Sequence, residues 1–329
     1  MKIELLETIR TIDNRNLYLP NSVFINENKV IITDGGNNRV CIKKDKEEYS
    51  IGSFGIGKYK FKEPVYSMEF EDRIFVCDWH NHRILEYKNK EFNNQIGIFG
   101  NKDENIFKLI LKLIKSFASN GSFIEKHFNI KEIEKFKNPN LKRIANTLRS
   151  ILFYLLNINI FITNLINKIY INKPNGCILL NNQLIFTQKN NKCITVYDLK
   201  NKKIVKEVNN TAKNIDFGRL GQISYFDEKI YVCDETNNIL WIFSEKLELL
   251  DKKTFTSYNL FSIAINKNYI TTCGEIGFSI FNHDYELLYE KIGDGEYHGV
   301  ALDIDVLYVC NRLEHQIEKY KIIKDKIIE

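Results

Sequence analysis

The feature that most constrains this chain is a repeating register. Pro20 precedes Thr33, Pro64 precedes Cys77 and Pro174 precedes Thr187 by one and the same interval. Between each pair lie two short apolar runs and a tight polar turn, as in residues 20–34, PNSVFINENKVIITD. A polar loop and a third run follow: DGGNNRVCI at 34–42, DWHNHRILEY at 78–87 and QKNNKCITVY at 188–197. The pattern returns without proline at 229–243, 269–281 and 306–320, and a fourth run closes several units, such as EYSIGSFG at 48–55. Short β-rich runs at regular spacing read as strands, and a repeat too small to bury its own faces must stack on copies of itself. Six such units predict an all-β fold of four-stranded antiparallel blades. Asn fills many turns in place of the scarce Gly, because it tolerates left-handed backbone and closes Asx turns.

The anchor positions of the six units are 33, 77, 187, 233, 273 and 310. A blade takes about 40–45 residues. Every interval between anchors is close to that length except the one from 77 to 187, which exceeds two blades and therefore holds an insertion.

The units resemble NHL repeats. The best match is Asp78-Trp79-His80-Asn81-His82-Arg83-Ile84, followed by Asp34 with Asn38-Arg39-Val40, and the connector GSFGIGKYKFKEP at 52–64 resembles the family's link between blades. Units three to six keep the spacing but depart from the motif: Gln188 and Gly274 replace the Asp, and Leu240 or Glu318 follows where Arg-Ile is expected. The resemblance covers the chain on both sides of the insertion. It implies a six-bladed β-propeller and says little about activity, since one fold hosts many functions. The chain divides into blades 1–2 at 1–100, an α-helical insertion at 101–173, and blades 3–6 at 174–329. The last unit lacks a fourth run. The N-terminal run Ile3–Ile9 is expected to supply the outer strand of blade six, which also removes an exposed sheet edge.

Within the insertion, Ile106, Leu109, Ile110, Leu113, Ile114 and Phe117 follow helical spacing. Asn138-Pro139 reads as an N-cap followed by proline at the first helical position. Residues 150–167 carry no charge, which is long enough to weigh as a membrane span. Asn157, Asn159, Asn164 and the propeller sequence on both sides favour a buried or interfacial helix instead. The family's topology implies that the insertion sits over the face carrying Trp79, His80 and His82.

The net charge of +5 hides a division. Residues 101–173 hold 13 Lys+Arg against 5 Asp+Glu, and the rest of the chain holds 34 against 37. The propeller is mildly acidic, which argues against nucleic acid as a partner. The positive excess belongs to the insertion.

Candidate chemistry is sparse. Cys77, Cys233, Cys273 and Cys310 occupy equivalent positions, with Thr33 and Thr187 at the other two. A metal needs ligands converging on one ion, and equivalent strands of different blades are too far apart, so these read as small packed side chains. Seven cysteines without a CxxC, and an N-terminus without a signal-peptide pattern, fit reduced thiols in the cytoplasm. No GxSxG, Walker A or HExxH occurs. The residues at the mouth of the central channel are read as Asn21, Tyr66, Asn175, Gly221, Phe261 and His298. Amidating-lyase relatives of this fold place several inner-strand histidines on zinc, and only one of these six is His. Calcium-dependent hydrolase propellers use inward Glu, Asn and Asp, and Asn21, Asn175, Glu69 and Asp303 fit no such pattern. Asp34, Asp78 and Asp234 end second strands and are expected to cap turns.

The expected function is a cytoplasmic, non-enzymatic scaffold that binds a protein partner and carries no cofactor. Its binding face comprises Asn21, Tyr66, Trp79, His80, Asn175, Phe261 and His298, together with the basic insertion. Two alternatives stand beside it. One is a metal-assisted hydrolase or lyase with Ca²⁺ or Zn²⁺ in the channel and the insertion as a lid. The other is peripheral attachment to a membrane surface through residues 101–173.

Overall fold

The computed structural model describes residues 1–97 and 171–324, apart from single positions 213, 257 and 294. The expected helices, the charge-free stretch and the placement of the insertion over Trp79 all lie outside the described residues. Among the described residues no helix is long and apolar enough to cross a membrane.

Among the described residues six four-stranded antiparallel sheets form the blades, as the register predicts, beside one two-stranded hairpin of Thr11–Ile12 and Arg15–Asn16. The blades span residues 20–51, 64–96, 174–209, 220–254, 262–292 and, with the N-terminal strand, 297–323. In each, the first strand lines the channel and the later ones step outward. Blade six runs from the channel outward as Tyr297–Asp303, Val306–Asn311, Gln316–Ile323 and Lys2–Ile9. The N-terminal strand thus supplies the missing outer strand, pairing from Lys2 with Ile323 to Ile9 with Ile317 across one bulge. The chain re-enters the propeller at Ile171, which is fully buried and lies against Gly97.

Burial explains the strand sequences. Second and third strands are covered on both faces by neighbouring blades, so they read as near-continuous apolar runs, such as Lys229–Asp234 (KIYVCD) and Ile239–Ser244 (ILWIFS). Outer strands are covered on one face and alternate, as in Glu91–Ile96 (EFNNQI). The core is accordingly a set of clusters, each between adjacent blades. Ile31, Val40, Phe61, Val76 and Leu85 pack between blades one and two, and Ile178, Ile194, Val232 and Trp241 between blades three and four. Cys77, Cys233, Cys273 and Cys310 are buried free thiols in these layers, and burial pushes each thiol's pKa up.

The motif that carries the family resemblance is a buried clamp. Asp78 Oδ2 accepts hydrogen bonds from Arg83 Nε and Asn81 Nδ2, both at 2.8 Å, and Oδ1 accepts the Lys62 N–H at 2.8 Å. Arg83 also donates to the carbonyls of Ile56, Gly57 and Lys60, so one ion pair fixes the connector from blade one. Asp34 repeats the device with Arg39 Nε at 2.7 Å, Asn37 at 2.8 Å and the Tyr18 N–H at 2.8 Å. Asp34 and Asp78 therefore clamp the preceding connector instead of capping the following turn. Asp234 does both, holding the Gly218 N–H at 2.7 Å and capping the N–H groups of Thr236 and Asn237. Ile239 holds the position of the motif's Arg, and Trp241, two residues later, donates its Nε1–H to Asp234 at 3.2 Å. The last loop residue before the third strand is left-handed in blades one to four and six: Asn38, His82, Lys192, Asn238 and His315 all have φ between 48° and 56°. Asn is thus only one of the residues that turns the chain there.

Closure and clamp both have measurable consequences. Deleting residues 1–10 exposes the edge of blade six and the cluster around Ile9, and should cost at least about 3 kcal/mol, read as a lower denaturation midpoint. Arg83→Ala leaves Asp78 buried without its cation and should destabilise by about 3–5 kcal/mol in urea unfolding.

Candidate functional site

The channel mouth is built by a repeated irregularity. The ladder between first and second strands slips at the same place in five blades: between Pro20 and Ser22, Pro64 and Tyr66, Pro174 and Gly176, Leu220 and Ile223, and Tyr297 and Gly299. A bulge leaves a residue out of the pairing and re-aims its side chain. In four of the blades that single residue is Asn21, Val65, Asn175 or His298, and all four line a cavity of about 100 Å³ at the mouth.

The bulge corrects one sequence assignment. Tyr66 pairs with Cys77 and is buried, its hydroxyl pKa raised by desolvation, and Val65 occupies the mouth in its place. Side chains alternate along a strand, so an offset of one residue moves a side chain to the other face. Asn21, Trp79, Asn175, Phe261 and His298 line the cavity. His80 stands at the rim, its Nε2 2.9 Å from Glu63, which lines the cavity. His82 faces elsewhere: its Nδ1 accepts the Lys173 N–H at 3.3 Å, and burial lowers its pKa.

Several mouth residues escaped the sequence reading. Lys189 and Glu235 line the cavity 2.6 Å apart, and Asn175 Nδ2 donates to Glu235 at 2.9 Å. Both stand two places after their anchors, the position that Trp79 holds in blade two and Arg312 in blade six. Glu63 directly precedes the first strand of blade two at Pro64, and Glu296 directly precedes that of blade six at Tyr297. The signal was therefore present in the register.

These groups interlock. Arg312 Nη1 lies 3.4 Å from Glu296, its Nη2 lies 3.6 Å from Glu63, and its Nε donates to Asn21 Oδ1 at 3.2 Å. His298 Nε2 lies 2.6 Å from Glu296. That hydrogen bond, more than any other contact, holds the Glu296 carboxyl below its ordinary pKa against the opposing effect of burial. The Phe261 and His298 rings meet edge to face at 4.9 Å. Lys173 Nζ lies 4.0 Å above the Trp79 ring, and Lys189 Nζ lies 5.7 Å from it. The mouth thus carries Glu63, Glu235 and Glu296 against Lys189 and Arg312, with His80 beside Glu63 and His298 beside Glu296. Among the described residues no group of three or more His, Cys, Asp or Glu is arranged to hold a metal ion.

No family model matches this chain, and no curated protein does. Solved structures of similar fold include a Streptogramin B lyase, with TM-score 0.55 and 10% identity, covering 98% of this chain and 88% of that one. A catalytically inactive virginiamycin B lyase from Staphylococcus aureus with quinupristin has TM-score 0.58 and 10% identity, covering 98% and 100%. The WD40 β-propeller domain of Doa1 has TM-score 0.56 and 9% identity, covering 99% and 98%. At such identities the likeness shows the propeller fold alone.

The depressed Glu296 pKa sets a sign for acid sensitivity. Its contribution to stability is present above the unfolded value of 4.5 and is lost as pH falls through the lower folded value. Thermal melts between about pH 5 and pH 3 should show a falling Tm, with a shallower slope in Glu296→Gln.

Proposed function

We propose that this chain is a non-enzymatic, NHL-like propeller scaffold of the cytoplasm, and that its channel-mouth face, with the basic insertion at 101–173, recognises a protein partner. The observation that carries this reading is the crown of charged and aromatic side chains around a small opening. The cavity, at about 100 Å³, is small beside the roughly 300–1,000 Å³ of small-molecule sites. Recognition then falls to the rim, where Trp79, His80, Lys189 and Arg312 combine aromatic surface with charge in the manner of protein interfaces. The WD40 domain among the similar folds supports a scaffold role by analogy alone.

A second reading, a hydrolase or lyase with a Ca²⁺ or Zn²⁺ ion in the channel and the insertion as lid, is supported by the His298–Glu296 pair at 2.6 Å beside the cavity. Attachment to a membrane surface through the insertion is the third.

One set of experiments separates them. Proximity labelling with wild type, an insertion-deleted chain and the Lys189→Glu/Arg312→Glu variant should give a protein partner that both changes lose by at least about tenfold. Stoichiometric Ca²⁺ or Zn²⁺ in the purified protein, released in His298→Ala, would favour the enzyme. Liposome flotation dependent on residues 101–173 would favour the membrane. Absence of any partner dependent on the mouth or the insertion would sink the scaffold reading.

A further inference from the structure

The blades are sequence repeats, so each seam between blades can be compared with its equivalents. On the face opposite the channel mouth, two seams open into cavities. One lies between blades one and two, with a volume of about 570 Å³, and the other between blades four and five, at about 660 Å³. Strand pairing aligns them: Val23 pairs with Ile32 as Ile223 pairs with Val232, and Ser67 pairs with Val76 as Ile263 pairs with Thr272. Lys29 therefore corresponds to Lys229, Glu69 to Ile265, and Glu71 to Lys267.

The substitutions change the chemistry of the seam. Between blades one and two, Lys29 Nζ sits 2.5 Å from Glu69, and Glu27 and Glu71 add further acid to the lining. Between blades four and five, the position equivalent to Glu69 is Ile265, packed against the apolar cluster that includes Tyr231, Ile242 and Ile270, and Lys267 stands where the first seam has Glu71. Neither Lys229 nor Lys267 forms an ion pair among the described residues. The carboxylate of Asp251 is committed to Lys253 at 2.9 Å, which leaves Asp227 as the single uncommitted acid of the lining among the described residues.

The floor differs as well. Ile242 and Ile270 form its apolar base, and Phe226 stands where blade one has Asn26. Tyr231 and Tyr285 add ring surface, and neither hydroxyl makes a hydrogen bond among the described residues. Phe226 stacks on His283 at 5.5 Å, which holds one aromatic wall upright. The volume lies within the range of small-molecule sites, and an apolar floor with a few polar groups is their usual composition.

We propose that the seam between blades four and five binds a small aromatic anion, a ring system bearing a carboxylate, sulfonate or phosphate. The rings lie against Phe226, Tyr231 and Tyr285, where edge-to-face packing adds to simple burial. The anionic group lies between Lys229 and Lys267, which no carboxylate among the described residues neutralises. This site is separate from the channel mouth and does not depend on the function assigned there.

The test uses 8-anilinonaphthalene-1-sulfonate as the probe and the neutral N-phenyl-1-naphthylamine as its uncharged counterpart, with the full chain. The anion should bind saturably with one site per chain, and the neutral compound at least about tenfold more weakly. Lys229→Glu/Lys267→Glu should weaken the anion by about tenfold or more. Ile265→Glu, which restores the acid found in the equivalent seam, should do the same. Lys29→Glu in that other seam should change affinity by less than about twofold. Thermal melts confirm that each variant folds, and a variant that fails is replaced by Lys267→Gln alone, which keeps the same expected direction. Equal binding by wild type and the lysine variants, equal binding of the neutral compound, or absence of a saturable site would overturn the proposal.

Discussion

Ring closure is the constraint on which the rest depends. No blade can bury its own middle strands, because both faces of each are apolar. Every blade needs two neighbours, and the first and last can have them only if the ends of the chain meet. The ladder between Lys2–Ile9 and Gln316–Ile323 makes that meeting. It joins strands from opposite ends of the sequence, so its loop-closure cost is offset only when all six seams pack together. The cluster of Ile9, Ile12, Leu17, Ile32, Cys310 and Ile317 marks where blade six meets blade one.

A second layer of order depends on closure. Once blades are stacked, the connectors between them must be pinned, and buried Asp–Arg pairs do this in blades one and two. A buried ion pair is costly to desolvate, and further hydrogen bonds offset that cost. Arg83 gains them from three connector carbonyls, whereas Arg39 reaches two and keeps its Nη1 buried without a hydrogen bond among the described residues. Blade four reaches a similar end with Trp241, and blade three with Gln188, which accepts the Asn172 N–H at 2.8 Å. The motif decays along the sequence while its mechanical role survives in altered chemistry.

Pinned connectors and repeated bulges together position the mouth. Three sets of equivalent positions converge there: the bulged residues, the residues two places after each anchor, and the residues that directly precede a first strand. Their identities differ from blade to blade, so a symmetric frame carries an asymmetric set of charges. The same logic acts on the opposite face, where equivalent seams have diverged from acidic to basic and aromatic linings.

Much of this was legible in the sequence. The repeat register determined six blades of four strands, and the missing fourth run of the last unit pointed to the N-terminal strand that closes the ring, because strand periodicity and repeat length are local properties of the chain. Asn21, Trp79, Asn175, Phe261 and His298 line the cavity for the same reason. Tyr66 was misplaced because a bulge is set by ladder pairing, and one unpaired residue exchanges the two faces of a strand. Lys189, Glu235, Glu296 and Arg312 stood in register but carried no motif, and only tertiary structure brought their charges within a few ångströms of one another. Sequence determined what each blade is. Packing of blade against blade decided which side chains meet, since those contacts join residues that have no relation along the chain.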